Sequence, residues 1–190
     1  MKNKILVPLA HGFEEIEAIT IIDILRRGDI DVTTASLSDD LFVIGAHNVT
    51  IKADTNLQSI NIDTLDMIIL PGGWDGTKAL ASDQTVQNIL KTMNKNNKLI
   101  GAICAAPYAL DKAGVLKNKF TCYPSVETNI EAKGYIGNGA NVIEDENIIT
   151  SKGPATAMEF ALEIVKKLQT NKIYEELKSG LLLSWSHHQI

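Results

Sequence analysis

Residues Lys98–Pro107 read KLIGAICAAP, and the fold and the chemistry of the chain both turn on them. Leu99, Ile100 and Ile103, with Gly101 and Ala102, have the continuous apolar character of a short strand buried on both faces. Ala105–Ala113 (AAPYALDKA) reads as a helix. The small residues Gly101, Ala102, Ala105 and Ala106 leave room for a tight strand-to-helix turn, the logic of a nucleophile elbow. Such a turn lifts one side chain, here Cys104, above the sheet at the positive end of a helix, where a thiol is biased toward thiolate. A buried core cysteine is the alternative reading of this stretch taken alone, because free Cys is commonly buried.

Upstream, Met67–Leu70 (MIIL) is a second continuous apolar run, closed by Pro71-Gly72-Gly73, and a helix is predicted around Gln84–Asn94. At the start of the chain Lys4–Leu9 (KILVPL) reads as a strand and Ala10-His11-Gly12 as a turn. Phe13–Arg27 then carries Ile16, Ile19, Ile22 or Asp23, and Ile24 or Leu25 at helical spacing, with Arg26, Arg27 and Gly28 as stop signals. Ile30–Ser36 alternates as a second strand, completing a βαβ unit that is right-handed by strong precedent. Leu41–Asp54 looks like two short strands around Gly45–Asn48, a hairpin beside the main sheet. Beyond Gly114, strands are expected at Phe120–Tyr123, Asn141–Glu144 and Asn147–Thr150, the last two as a hairpin. Pro154–Leu168 reads as a helix with Pro in its first turn, and Ile173–Leu183 as a last short helix. The prediction is an α/β chain: one doubly wound, flavodoxin-like or Rossmann-like three-layer sandwich with a mostly parallel central sheet and a side hairpin. It occupies residues 1–183, and 184–190 (SWSHHQI, with His187 and His188) form a tail.

Composition narrows the function classes. The 190 residues are 45% hydrophobic and 22% charged, with a net charge of −5 and no basic stretch. That disfavours a nucleic-acid partner, whose backbone demands clustered Lys and Arg. No apolar run approaches the ~20 residues of a membrane span, and the short run before His11 reads as a first strand instead of a signal peptide. With Cys104 and Cys122 as its only cysteines the chain is no disulfide scaffold, and a reducing cytoplasm is the expected compartment.

Ligands of such sheets bind beyond the carboxyl ends of the strands. Three of those ends carry unusual chemistry: His11–Glu17 (HGFEEIE), Pro71-Gly72-Gly73 and Ile103-Cys104. Glu14 and Glu15 have a plain reading as complements of a helix dipole. Glu17 lies among Ile16, Ala18 and Ile19, nearer the apolar side, where an unpartnered carboxylate is costly. Pro-Gly-Gly is either a turn or a place where backbone N–H groups meet a developing oxyanion. No GxGxxG follows the first strand, so a dinucleotide site is unsupported.

In their order and spacing, HGFEEIEA, IDILRRGDIDVTTA, IILPGG, GAICAAPYAL and TSKGPATAMEFALEIVKKL resemble the ThiJ/PfpI superfamily, in the branch of the parkinsonism-associated protein deglycase, along nearly the whole chain. The resemblance implies that Cys104 is a nucleophilic, oxidisable cysteine and Glu17 the carboxyl that contacts it. It places Gly72, Gly73 and Ala105 at the anion-binding amides, and His11, Tyr123, His47, Gly153 and Pro154 around the pocket. It implies a homodimer without metal or nucleotide cofactor, whose first helix and 41–54 hairpin contribute to the interface. There, His47 falls where some relatives place an arginine that reaches the partner's pocket. An exposed hairpin histidine is its other reading. Two departures stand out. Superfamily peptidases carry His directly after the cysteine, where this chain has Ala105, and relatives often have His before a later proline, where it has Tyr123.

An ionised Glu17 beside Cys104 opposes thiolate, whereas a protonated Glu17 donating to sulfur favours it, so the two titrations are coupled. The implied activity is turnover of a small aldehyde such as methylglyoxal, or of a glycated protein, to lactate. The alternative is a non-enzymatic oxidative-stress sensor or chaperone acting through a Cys104 sulfinate. A peptidase, an amidotransferase and a thiazole-phosphate biosynthesis protein are disfavoured.

Overall fold

The computed structural model describes residues 2–137 and 139–183, and the 184–190 tail with His187 and His188 lies outside the described residues. In chain order the elements are β1 (Lys4–Leu9), α1 (Glu15–Arg27), β2 (Asp31–Ser36), β3 (Phe42–Ile44), β4 (Thr50–Lys52), β5 (Thr55–Asn56) and β6 (Met67–Leu70). There follow α2 (Trp74–Ser82), α3 (Gln84–Lys95), β7 (Leu99–Ile103), α4 (Pro107–Lys112), β8 (Val142–Asp145), β9 (Ile148–Ser151), α5 (Ala157–Leu168) and α6 (Asn171–Gly180). Seven strands form one sheet in the order β5-β2-β1-β6-β7-β9-β8, parallel except for the β8–β9 hairpin. β3 and β4 pair as a separate antiparallel hairpin.

Side-chain alternation along the strands makes the three layers. Ile5, Val7, Leu9, Met67, Ile69 and Ile103 pack on one face against Ala18, Ile21 and Leu25 of α1 and Phe160, Ile164 and Val165 of α5. Leu6, Ile68, Leu70, Ile100 and Ala102 point the other way, against Leu80 of α2, Val86, Ile89, Leu90 and Met93 of α3, and Ala109 and Leu110 of α4. Strands buried on both faces have no polar face to alternate with, which is why MIIL is continuous.

Two expectations are corrected, and two elements were not expected. Phe120–Tyr123 is no strand: Phe120 makes a single bridge to Tyr135, because β9 already pairs with β7 through Ile100 and Ile148. Helix α4 begins at Pro107, so Ala105 and Ala106 belong to the turn that follows Cys104. A helix unforeseen in the sequence, α2, starts directly after Gly73, and the two-residue β5 adds an edge beside β2.

Candidate active site

Because β1, β6 and β7 are adjacent and parallel, the segments that follow them converge at one edge of the sheet. Cys104 stands at the end of β7 with φ +62°, a left-handed conformation rare for a residue with a side chain. Such a conformation costs on the order of 1–3 kcal/mol and persists where the surroundings over-determine it. Here the Cys104 N–H donates to the Ser151 carbonyl at 2.9 Å, its own carbonyl accepts from Tyr123 N–H at 2.8 Å, and Ala106 N–H closes the turn onto Ile103 at 2.9 Å. The backbone N–H groups of Gly73 and Ala105 lie beside the sulfur and favour its charged form.

Glu17 comes from the first turn of α1 and is fully buried. The Glu14 carboxylate caps that helix by accepting from Glu17 N–H at 2.8 Å, fixing where the next carboxyl projects. Glu17 Oε2 accepts from Gly72 N–H at 2.8 Å, while Oε1 is buried without a partner among the described residues. A Cβ on Gly72 would lie 2.5 Å from Glu17 Oε2 and 2.6 Å from Cys104 Cβ, so the glycine is the gap through which carboxyl and cysteine meet. Gly73, at φ +88°, is pressed against the Gly12 carbonyl and the Glu14 N–H, leaving no room for a side chain.

Burial pushes the Glu17 carboxyl up to about 7, against the opposing pull of its contact with Cys104 and the Gly72 N–H. The Cys104 thiol is pushed up as well, first by burial and then by Glu17, with the Gly73 and Ala105 amides pulling the other way. This corrects the expectation that the elbow by itself biases the thiol toward thiolate. The six-residue α4 supplies too little field to outweigh desolvation. The pair titrates as a unit. Around pH 7 it gives up one proton, and the second is held far more tightly because two buried anions would then face each other. Thiolate is the form in which the remaining proton sits on Glu17.

A cavity of 390 Å³ opens at the sulfur, lined by Trp74, Cys104, Ala105, Tyr123, Ser125, Val126 and Asn129. Gly153 and Pro154 line a neighbouring cavity that shares Tyr123, and the place of a Gly153 Cβ is 3.9 Å from Glu17 Oε1. Neither His11 nor His47 lines the cavity at Cys104. His11 Nδ1 accepts from Ile44 N–H at 3.0 Å, tying the β1 turn to the hairpin. His47 sets its ring 2.9 Å from Glu15 and donates its backbone N–H to the same carboxylate. Glu14, Glu15 and His47 hold potential ligand atoms within 4.8 Å of one another, but both Glu15 oxygens are already engaged in fastening the hairpin. Sequence reasoning missed Trp74, Ser125, Val126 and Asn129. Only Trp74, directly after Pro-Gly-Gly, carried a positional signal.

A family model described as the DJ-1/PfpI family matches residues 3–167. Protein dj-1beta of Drosophila melanogaster is 38% identical over 187 residues, covering 98% of this chain and 100% of that protein. The protein named glutathione-independent glyoxalase DJR-1.2 of Caenorhabditis elegans is 39% identical over 180 residues, 93% of this chain and 96% of that one. The crystal structure of Drosophila melanogaster DJ-1beta matches with a TM-score of 0.92 at 39% identity, covering 97% of this chain and all of the other.

Proposed function

The chain belongs to the DJ-1/PfpI family, and from that membership we propose that it is a cysteine-dependent enzyme of reactive carbonyls, of the glyoxalase or protein deglycase type, working without a cofactor. The observation that carries this reading is the buried Glu17 carboxyl set against Cys104, with its pKa raised to about 7. A general acid–base is most effective when it titrates near the working pH. The similarity to a relative named a glutathione-independent glyoxalase supports the same reading.

For methylglyoxal the chemistry follows from the site. Cys104 thiolate attacks the aldehyde carbon, and the oxygen takes the proton from Glu17 to give a hemithioacetal. The Gly73 and Ala105 amides beside the sulfur are the donors proposed to stabilise the charge on that oxygen. Glu17, now ionised, removes the C–H proton of the former aldehyde carbon and returns it to the neighbouring carbon, while the hydroxyl proton of the hemithioacetal passes to the former ketone oxygen. A thioester of lactate results. Water hydrolyses it, releasing lactate and the thiol, so the net change is addition of one water with the aldehyde carbon oxidised and the ketone carbon reduced. Glycated amines or thiols enter the same sequence as masked aldehydes.

A second reading rests on the amides at Sγ: a sulfinate on Cys104 would accept the same N–H groups, as a redox sensor requires. The apolar Ile16 and Ile19 on α1 and Phe42, Ile44 and Val49 on the hairpin are exposed, which supports a homodimer through that face. No described helix is long and apolar enough to cross a membrane.

The test is lactate formation from methylglyoxal without added cofactor, in wild type, Cys104→Ala and Glu17→Gln. Turnover lost in both variants is the expected result. Wild-type turnover no higher than that of Cys104→Ala overturns the reading and leaves peroxide oxidation of Cys104 as the function to pursue.

A further inference from the structure

Methylglyoxal is small for the cavity in front of Cys104. Its five heavy atoms, at no more than water's ~30 Å³ each, fill at most about 150 Å³. The cavity holds 390 Å³. An oxoaldehyde carrying a phenyl ring has twice as many heavy atoms and fills about 300 Å³ on the same scale. The walls match a flat apolar group. Trp74 and Tyr123 are large, partly exposed aromatics, Val126 adds a buried aliphatic surface, and Ser125 and Asn129 are the polar side chains beyond Cys104 itself. No charged side chain lines the cavity among the described residues.

The aromatic wall is also held in place. Trp74 opens α2 directly after Gly73, and its ring meets that of Tyr108 with centroids 5.4 Å apart and planes tilted 53°. Tyr108 is backed in turn by Lys112, whose Nζ lies 5.2 Å from the ring centre. An indole buttressed in this way loses little freedom when a ligand stacks on it, and aromatic pairs gain beyond the area they bury. Tyr123 faces the same space. Its ring packs 3.3 Å from where a Gly153 Cβ would be, so the absence of a side chain at Gly153 leaves room for it.

We propose that Trp74 is a specificity-determining residue, and that the site prefers uncharged 2-oxoaldehydes bearing an aromatic or comparably large planar apolar group. The proposal rests on the carbonyl-processing reading and names its substrate class. The reaction is the same in balance: an aryl oxoaldehyde and one water give an aryl 2-hydroxy acid, the aldehyde carbon being oxidised as the ketone carbon is reduced. The ring stays on the Trp74 side while the aldehyde carbon meets Cys104. The ring contributes mainly to binding, so its loss is read chiefly in KM.

The experiment compares kcat/KM for phenylglyoxal, followed as mandelate, and for methylglyoxal, followed as lactate, in wild type, Trp74→Ala and Trp74→Phe. Wild type is expected to favour phenylglyoxal by about tenfold. The ratio falls about tenfold in Trp74→Ala, through KM, and Trp74→Phe restores most of it. A wild-type ratio near one, or an equal loss on both substrates in Trp74→Ala, overturns the proposal. Calorimetric titration of the Cys104→Ala protein with the unreactive aryl ketone 2-hydroxyacetophenone separates this from the catalytic reading. Binding weakened about tenfold by adding Trp74→Ala upholds the aromatic subsite even if neither oxoaldehyde is turned over. Binding indifferent to Trp74 overturns it even if both are.

Discussion

Cys104 and Cys122 are both free, both buried, and both have thiols pushed above their ordinary value, yet their surroundings make them chemically unlike. Cys122 is fully enclosed, and burial, followed by the charge of Glu127, pushes its thiol up to about 12 with the Glu127 N–H pulling back. Among the described residues Glu127 acts on it by charge and through its backbone N–H, with no side-chain hydrogen bond to the sulfur. Cys104 is raised by the same desolvation, but it opens on a cavity, sits in a left-handed turn and faces a carboxyl that itself titrates at about 7. Burial alone makes a thiol inert. Burial of a thiol together with a carboxyl that shares its proton makes a pair that charges once at neutral pH and places that charge on either atom.

The most direct way to break this contrast is to delete each sulfur. Cys104→Ala is expected to reduce methylglyoxal turnover to background. Cys122→Val keeps kcat/KM within about twofold and changes stability by about 1 kcal/mol, the common scale for a conservative core substitution. Iodoacetamide labelling at pH 8, read peptide by peptide by mass spectrometry, should modify Cys104 at least about a hundredfold faster than Cys122. Comparable rates would show that neither the cavity nor the Glu17 partnership sets Cys104 apart.

Glu17→Gln removes the partner and keeps the shape. Turnover is expected to fall by about 10²–10⁴-fold, the usual range for loss of a general acid–base. The pH dependence sharpens the point. In wild type the labelling rate of Cys104 rises through about pH 7, as the pair gives up its first proton, and then levels off. In Glu17→Gln that step is absent and the rate climbs only at higher pH. Stability moves in the opposite sense. A carboxyl raised from 4.5 to about 7 contributes stability that is fully present below 4.5 and is lost as pH rises through about 7. The gap corresponds to at most about 3 kcal/mol. Urea unfolding at pH 8 should therefore find Glu17→Gln more stable than wild type, with the advantage vanishing near pH 4.

Gly72→Ala tests the same partnership through the backbone. The added methyl would fall within 2.6 Å of both Glu17 Oε2 and Cys104 Cβ. The carboxyl and the sulfur must part, so turnover is expected to fall about a hundredfold, the scale of an ångström's misplacement. Circular dichroism should show the fold retained.

The parts of the fold legible in the sequence were those whose pattern is set locally. MIIL and LIGAI are apolar without interruption because helices cover both faces of the sheet, and α1 carries its apolar period together with its stop signals. Helix α2 escaped because the preceding Pro-Gly-Gly reads as turn chemistry, and the helix stands on Gly73 without a side-chain cap. Phe120–Tyr123 has strand-forming residues but no vacant neighbour in the sheet, a fact only topology supplies. At the site, small residues around Cys104 and an acidic residue on an apolar helix side were visible signals. The 123–129 segment that closes the cavity was not, because the Tyr123 N–H to Cys104 carbonyl bond that docks it joins residues far apart in the chain. The direction of the thiol's shift was misread for a related reason: a sequence shows the helix that follows a cysteine, but not the water removed from around it.

The mildest test reaches the Cys104 side of the comparison through helix α1 alone. Glu15 stands in the same first turn as Glu17, and it binds the hairpin through the His47 ring and the His47 backbone N–H. Burial pushes the Glu15 carboxyl up, but those bonds outweigh it and leave its pKa lowered, while Glu15 raises that of His47. The depressed carboxylate contributes stability above its ordinary 4.5, lost as pH falls through the folded value. The raised imidazole contributes stability below 6.5, lost as pH rises through its folded value. Both hold together only between about pH 4.5 and 6.5. His47→Ala should therefore lower the melting temperature most near pH 5.5 and least at pH 8, by a small amount because the ring is exposed. Hydrogen exchange should locate the loss in the hairpin amides, and Cys122 labelling should not change. If Cys104 labelling accelerates at pH 5.5, the hairpin is part of what holds Glu17 against the sulfur. If it does not, the Glu14 cap and Gly72 suffice, and the pair is fixed by α1 and the β6 turn alone.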